Sequence, residues 1–327
     1  MIALRRAIHA EPELGLSLPR TTQKVKDALA GLPLSFRLGD PLPPLLGDPR
    51  GGFHFKKFTP KVVLRYKLDP DNSFYASFSE GFKSGLVNTA NVNVCTPSPS
   101  CIDPPVRPEV VTAYEVGYKG RLSDYFTLEV AAYHYLYKDI QIFIFDPVAG
   151  SRYQNAASGR INGFEIGGVF QASPELTFSA GGAYTDAKYR KFPNALIYVP
   201  TGFGGNNTLA ADVAGGQMMR SPKVTLNGSV NYSRQFESIG QVGLYVAANY
   251  NSGLTYDPQG RVRQPQYALV DGELSVAPVK LPGVRMVLWG KNLTNKTYLA
   301  SVLESSLGDA VAYAEPRTYG VRVEYAF

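Results

Sequence analysis

"TLNGSVNYSRQFESIGQVGLYVAANY", residues 225–250, alternates almost without interruption. Leu226, Gly228, Val230 and Tyr232 fall on one side, and Thr225, Asn227, Ser229 and Asn231 on the other. Beyond "RQFESIG", Val242, Leu244, Val246, Ala248 and Tyr250 resume the apolar row. A period of two belongs to a strand, whose successive side chains leave opposite faces. "LTFSAGGAY", 176–184, repeats the pattern, and the polar side is again small: Ser, Thr, Asn, Gly and Ala rather than Lys and Glu.

Extending this pattern predicts strands over 60–68, 72–83, 110–121, 125–146, 151–172, 175–190, 221–235, 239–254, 265–279, 283–297 and 315–327, eleven in all. Several exceed ten residues, whereas soluble sheets use about five or six. The connections alternate. "LDPDNS", "RLSDYF", "QASPEL", "RQFESIG" and "KLPG" are tight; 84–109, 188–220, 253–265 and 298–314 are long, and 146–151 alone is short among the second set. All the tight turns therefore lie at one end of an up-and-down antiparallel sheet. A transmembrane β-barrel is built this way, with short turns inside and elaborated loops outside.

Composition agrees. The 327-residue chain is 12% aromatic, with 21 Tyr, 17 Phe and 32 Gly, and only 18% charged. Its net charge of +6 is spread without a basic stripe, so nucleic acid is not expected as a partner. No stretch reaches the ~20 apolar residues of a membrane-spanning helix. The first residues lack the apolar run of a signal peptide. Barrels escape the helix test because their apolar residues hide in alternate positions.

At the C-terminus, Tyr319, Val321, Val323, Tyr325 and Phe327 face one way, against Thr318, Gly320, Arg322, Glu324 and Ala326. The first set is expected to face lipid. Cys95 and Cys101 lie in a Pro/Ser-rich loop, "NVCTPSPSCIDPP", and form a disulfide candidate if the chain is exported; two reduced thiols are the alternative.

"FTPKVVLRYKL", "FYASFSEGFKSG", "RPEVVTAYEVGYKGRL", "NAASGRINGFEIGG", "WGKNLTNKTY" and "EPRTYGVRVEYAF" follow one another between residues 58 and 327. Together they resemble the C-terminal half of a TonB-dependent outer-membrane receptor. The resemblance implies an all-β outer-membrane barrel over 53–327 that imports a scarce nutrient such as a ferric siderophore. Its partners would be outer-membrane lipid, a small nutrient ligand (an iron chelate, for instance) and TonB. Neither a plug domain nor a TonB-contacting segment is apparent before residue 53. Such receptors have 22 strands, so eleven make half a barrel. Its open edges would leave backbone groups facing lipid, so the chain alone is expected to be transport-incompetent. A passive pore, formed if the strands close into a smaller barrel, is the alternative.

Residues 1–39 differ. "TTQKVKDALAGL" reads as a helix capped by Thr21 or Thr22 and stopped at Gly31, and 40–52 is a Pro/Gly-rich junction. Arg6, His9, Pro12, Glu13 and Leu14 resemble the opening of M20-family amidohydrolases. In that family the metal ligands lie in His-x-Asp and Glu-Glu motifs, and neither occurs in this sequence. Pro12 also interrupts any helix carrying His9 and Glu13. His54 and His134 read as interfacial or lumen-facing. The chain is therefore expected to have no catalytic residues, no metal centre and no cofactor, and the enzyme reading survives only as a hydrolase fragment without its active site.

Overall fold

The computed structural model describes residues 23, 24, 26, 27, 55–86, 105–146 and 150–326. By contacts the chain divides into two units, Met1–Gly52 and Phe53–Phe327. In the first, the described residues Gln23, Lys24, Lys26 and Asp27 are helical, and Gln23 Nε2 donates to Asp27 Oδ1 at 2.7 Å, one turn on. The remainder of the helix expected over 1–39 lies outside the described residues, as do His9, Glu13, His54, Cys95, Cys101 and Phe327.

The second unit is built on strands. β1 (Lys61–Lys67), β2 (Asn72–Lys83), β3 (Glu109–Ser123), β4 (Phe126–Asp146), β5 (Gly150–Ser173) and β6 (Leu176–Lys191) run up and down. β7 (Ala195–Pro200) and β8 (Asn206–Ala211) form a separate hairpin. β9 (Val224–Phe236) and β10 (Gly240–Asn251) come next, then the short pair β11 (Leu254–Thr255) and β12 (Arg263–Gln264). β13 (Tyr267–Pro278), β14 (Val284–Lys291), the hairpin β15 (Leu299–Ser305) with β16 (Gly308–Tyr313), and β17 (Thr318–Tyr325) complete the unit. Eleven of these strands form one antiparallel sheet in the order β1-β2-β3-β4-β5-β6-β9-β10-β13-β14-β17. Every expected long strand is present. Among the described residues, β1 and β17 each have one neighbour in this sheet.

One expectation needs correction. The strand predicted over 283–297 stops at Lys291 because Asn292 has φ 49° and starts a turn, in which Asn295 N–H donates to Asn292 O at 2.7 Å. The long connections over 188–220, 253–265 and 298–314 each carry one of the three small hairpins.

Side-chain placement inverts that of a soluble protein. One face of the sheet carries Leu64, Val116, Ile166, Leu226, Leu288 and Val321, all more exposed than buried or close to it. Val321 is 71% exposed and Leu64 70%. A continuous apolar surface of this extent needs a lipid or protein cover. Aromatic pairs cross neighbouring strands on the same face. Phe74–Tyr118 (5.1 Å) and Phe170–Phe178 (6.4 Å) lie toward the tight turns; Phe78–Tyr114 (5.3 Å) and Phe164–Tyr184 (6.0 Å) lie toward the loops. Two such belts with aliphatic residues between them are the arrangement of a barrel's lipid face. The compact core sits instead at the loop end, where Ile140, Ala157, Tyr189, Phe192 and Ala195 pack together beneath Met218 and Ile197.

Candidate functional site: the inner wall and the loops above it

The second face of the sheet is polar, and its groups bond to one another. Tyr75 on β2 donates its hydroxyl to Glu115 Oε1 on β3 (2.7 Å), and Tyr135 on β4 donates to Glu115 Oε2 (3.2 Å). Tyr133 stacks on Tyr135 with ring centroids 4.9 Å apart, and its hydroxyl reaches Thr185 Oγ1 on β6 (3.0 Å). Lys119 pairs with Glu129 at 3.0 Å. Tyr75, Glu115, Lys119, Glu129, Tyr133 and Tyr135, with Glu165 and Asn227, line a hollow of about 640 Å³. Farther along, Arg322 on β17 bonds Glu324 (2.7 Å) and approaches Glu273 on β13 (3.5 Å), while Arg285 holds Glu324 at 3.0 Å.

Register keeps the large rings flat on this wall. Tyr75 stands directly opposite Gly117, Tyr133 opposite Gly163, and Trp289 opposite Gly320. A Cβ on Gly117 would come within 2.5 Å of the Tyr75 ring, and one on Gly320 within 2.8 Å of the Trp289 ring. The missing side chains let the rings lie along the sheet, shielding backbone that a glycine strand otherwise exposes.

Above the wall, the three small hairpins lock together through Arg261. Its guanidinium takes Asp309 with both nitrogens, Nη1 to Oδ2 at 2.7 Å and Nη2 to Oδ1 at 2.9 Å, and also bonds Glu304. Asp257, 1% exposed, holds the turn in shape by accepting from the Arg261 N–H (2.9 Å) and the Val262 N–H (2.7 Å). Asn206 Nδ2 bridges Asp309 Oδ1 (2.9 Å) and the Ser305 carbonyl (2.8 Å), and Gln259 Nε2 reaches the Tyr198 carbonyl (2.9 Å). β7–β8, β11–β12 and β15–β16 are thus tied at one place. Burial, followed by the nearby charge of Asp257, pushes Glu304 up to about 7. The hydrogen bonds from Arg261 hold Asp309 below the usual carboxylate range, and Asp309 raises Arg261 in return.

Of the residues singled out from the sequence, Tyr319, Val321, Val323 and Tyr325 share the exposed apolar face, between 59% and 75% exposed. His134 sits on the same face at the loop-side aromatic belt, its Nδ1 2.6 Å from Asn162 Oδ1 and its ring 6.3 Å from that of Tyr114. The inner-wall tyrosines and the Arg261 cluster carry no pattern in the sequence. Their only signal is that Tyr75, Tyr133 and Tyr135 occupy the polar side of otherwise alternating strands. Among the described residues, no group of three or more His, Cys, Asp or Glu could hold a metal ion.

An open up-and-down sheet with an apolar outside, a polar inside and one elaborated end narrows the family, and a comparison decides it. The family model described as TonB dependent receptor-like, beta-barrel matches residues 13–293. The chain belongs to this family. It is accordingly an outer-membrane β-barrel protein, and the family's members are receptors and transporters rather than enzymes. The fold is similar to that of the ferric yersiniabactin uptake receptor FyuA from Yersinia pestis, with TM-score 0.65, 18% identity, and coverage of 82% of this chain and 37% of that one. It is similar also to the siderophore receptor PiuA from Acinetobacter baumannii (TM-score 0.60, 19% identity, 81% and 35% covered) and to the ferric citrate transporter FecA (0.56, 16%, 82% and 38%). The chain therefore spans a little over a third of the length of these receptors. The likeness of residues 1–39 to M20-family amidohydrolases finds no support. The receptor-family match itself starts at residue 13 and takes in most of that segment.

Proposed function

We propose that residues 53–327 form the C-terminal half of the barrel wall of a TonB-dependent receptor that takes up a ferric siderophore or a similar scarce iron chelate. Residues 40–52 are the junction and 1–39 a separate head. The observation that carries this reading is the joint placement of the hydrogen-bonded tyrosine and carboxylate wall and the Arg261-locked hairpins, inside and at the loop end of a sheet of this family. The similarity to FyuA, a ferric yersiniabactin uptake receptor, PiuA, a siderophore receptor, and FecA, a ferric citrate transporter, supports the choice of ligand class. In this reading the row Tyr319, Val321, Val323, Tyr325 and Phe327 faces lipid, and the tight turns point to the periplasm. TonB, the partner that would energise uptake, acts on the complete receptor. Among the described residues β1 and β17 border the sheet, so this part of the wall contributes ligand contacts while uptake belongs to a closed barrel.

Trp289, the one tryptophan of the sequence, lies on the inner wall and serves as a reporter. The refolded chain in detergent is titrated with ferric phenolate, catecholate and citrate chelates and with their metal-free forms, and tryptophan emission is followed. Saturable quenching by one ferric class, absent with the metal-free chelator and weakened by Tyr135→Phe or Glu115→Gln, is the expected result. Equal quenching by ferric and metal-free forms of every class would refute the ligand assignment.

A further inference from the structure

The outer face of the sheet does not stay apolar to its loop end. Moving up from the band of Phe164, Ile166 and Tyr184, the cross-strand row His134–Asn162–Asp186 is polar, and the next row places Leu136, Arg160 and Lys188 side by side on β4, β5 and β6. Arg160 and Lys188 are direct cross-strand partners. Like charges so placed repel, and sheets normally avoid the arrangement. Asp186 meets Lys188 at 3.5 Å and offsets part of that charge. Arg160 has no such relief: its Nε is shut off from solvent and has no hydrogen-bond acceptor among the described residues. Two residues farther up, Lys138 and Arg190 are exposed and flank a cavity of about 560 Å³ that Lys191 and Arg107 also line. Asp139, the acid of that cavity, is taken by Arg107 at 2.5 Å.

Height places this cluster at a boundary. Lys138, Arg160 and Lys188 each stand about a dozen residues from the tight turn of their strand, roughly 40 Å of strand and, at a tilt near 45°, roughly 28 Å of rise. The apolar band of an outer-membrane barrel is roughly 25 Å tall. The cations therefore emerge just beyond the hydrocarbon, on the loop side, level with the headgroups of the outer leaflet.

We propose that Arg160 and Lys188, with Lys138 and Arg190 above them, form a site on the outside of the barrel for a phosphorylated headgroup of an outer-leaflet lipid. A phosphate oxygen seated between the Arg160 guanidinium and Lys188 cancels the repulsion across β5–β6; guanidinium geometry suits this task. The second pair of cations accommodates a further phosphate or another charged group of the same headgroup. The inference uses the outer-membrane placement of the sheet and is independent of which nutrient the inner wall binds.

The test uses the whole chain refolded in neutral detergent, with lipid A (a diphosphorylated glycolipid), its enzymatically dephosphorylated form and inorganic phosphate as separate probes. Bound lipid is counted by native mass spectrometry. The expected result is a retained adduct with lipid A, none with the dephosphorylated form, and binding weakened about tenfold or more in Arg160→Gln/Lys188→Gln, since each basic residue at a charged lipid surface contributes appreciably. The inner-wall pair Lys119→Gln/Arg121→Gln removes the same formal charge and should leave the adduct intact. Should Arg160→Gln/Lys188→Gln fail to fold, the exposed pair Lys138→Gln/Arg190→Gln carries the same expectation. Undiminished lipid A binding in the outer-face variants, equal retention of the dephosphorylated lipid, or inorganic phosphate binding as tightly as lipid A would each overturn the proposal. Loss of ferric chelate binding would leave it standing.

Discussion

Arg261→Leu is the sharpest test of the loop cluster. The guanidinium makes two bonds to Asp309 and one to Glu304, with Asp257 buried beside it. Leucine removes the only cation among these contacts and leaves two carboxylates facing each other in partial burial, with a third 1% exposed nearby. Breaking a buried pair by deleting one partner costs about 3–5 kcal/mol. The Arg261 and Glu304 side chains are 26% and 10% exposed, so solvent screens part of the interaction and about 3 kcal/mol is the reasonable expectation. The cost falls on local opening of the hairpins, because no strand of the eleven-stranded sheet contributes to the cluster. Hydrogen exchange reads it directly. The Asn206 N–H, bonded to the Ser306 carbonyl at 2.9 Å, and the Val262 N–H, bonded to Asp257, should lose about 100-fold in protection, as 1.4 kcal/mol is tenfold. Amides paired between β9 and β10 should not change. Unchanged protection at Asn206 and Val262 would mean that the hairpins hold their places without Arg261, and the reasoning would be wrong. An equal loss throughout β9 and β10 would also refute it, by showing that the loops and the sheet open as one unit.

Glu304 adds a pH dependence with a definite sign. Its value in the folded chain, about 7, lies above the ordinary 4.5, so its contribution is complete below 4.5 and is lost as pH rises through 7. Hairpin protection should weaken between pH 5 and 8, by at most about 3 kcal/mol, and Glu304→Gln should flatten that slope. Asp309 has the opposite sign, its contribution disappearing only as pH falls below the ordinary carboxylate range. Val321→Arg places a charge amid the exposed apolar row and should cost about 2–4 kcal/mol of folding stability in lipid bilayers, read by urea titration. Arg322→Leu, one residue away on the inner face, should show no such lipid-dependent penalty. Gly320→Val drives a branched side chain into the Trp289 ring and should destabilise by about 1–3 kcal/mol with a shift in tryptophan emission; an unchanged spectrum would contradict the ring's placement. If Cys95 and Cys101 are joined, non-reducing mass analysis should find one peptide pair about 2 Da lighter than its reduced form; full alkylation without reductant would sink the disulfide.

The long strands were legible because lipid and lumen impose a strict two-residue alternation. Leu226, Val230, Leu244 and Val246 lie on the face that their spacing assigns. His134 was legible only as interfacial or lumen-facing; register sets it opposite Asn162 on the apolar face, near Tyr114. Less regular features escaped. β7 and β8 are six residues each, one closing on Pro200, too short for periodicity to stand out. The Arg261–Asp309 bond spans 48 residues of chain, and nothing local to either residue announces it. The glycine–ring pairs depend on register, which sets Tyr75 opposite Gly117 and not opposite Val116. A one-residue slip would turn every tyrosine of the inner wall to the outside. The strand predicted across Asn292 failed because a left-handed residue looks like any other polar residue within an alternating run.

The two edges of the sheet carry a constraint on handedness of travel. β1 runs from Lys61 toward a tight turn, and β17 runs from Thr318 toward the same end. Both borders therefore point in one direction. Bending the sheet round to join them makes a parallel seam, and so does setting a second copy beside it in the same membrane orientation. An antiparallel ladder at both borders requires a complement whose own outer strands both travel the other way, which is possible only with an odd number of up-and-down strands. Whatever completes this wall, in a longer form of the chain or on another polypeptide, is thereby restricted in parity before any side chain is considered.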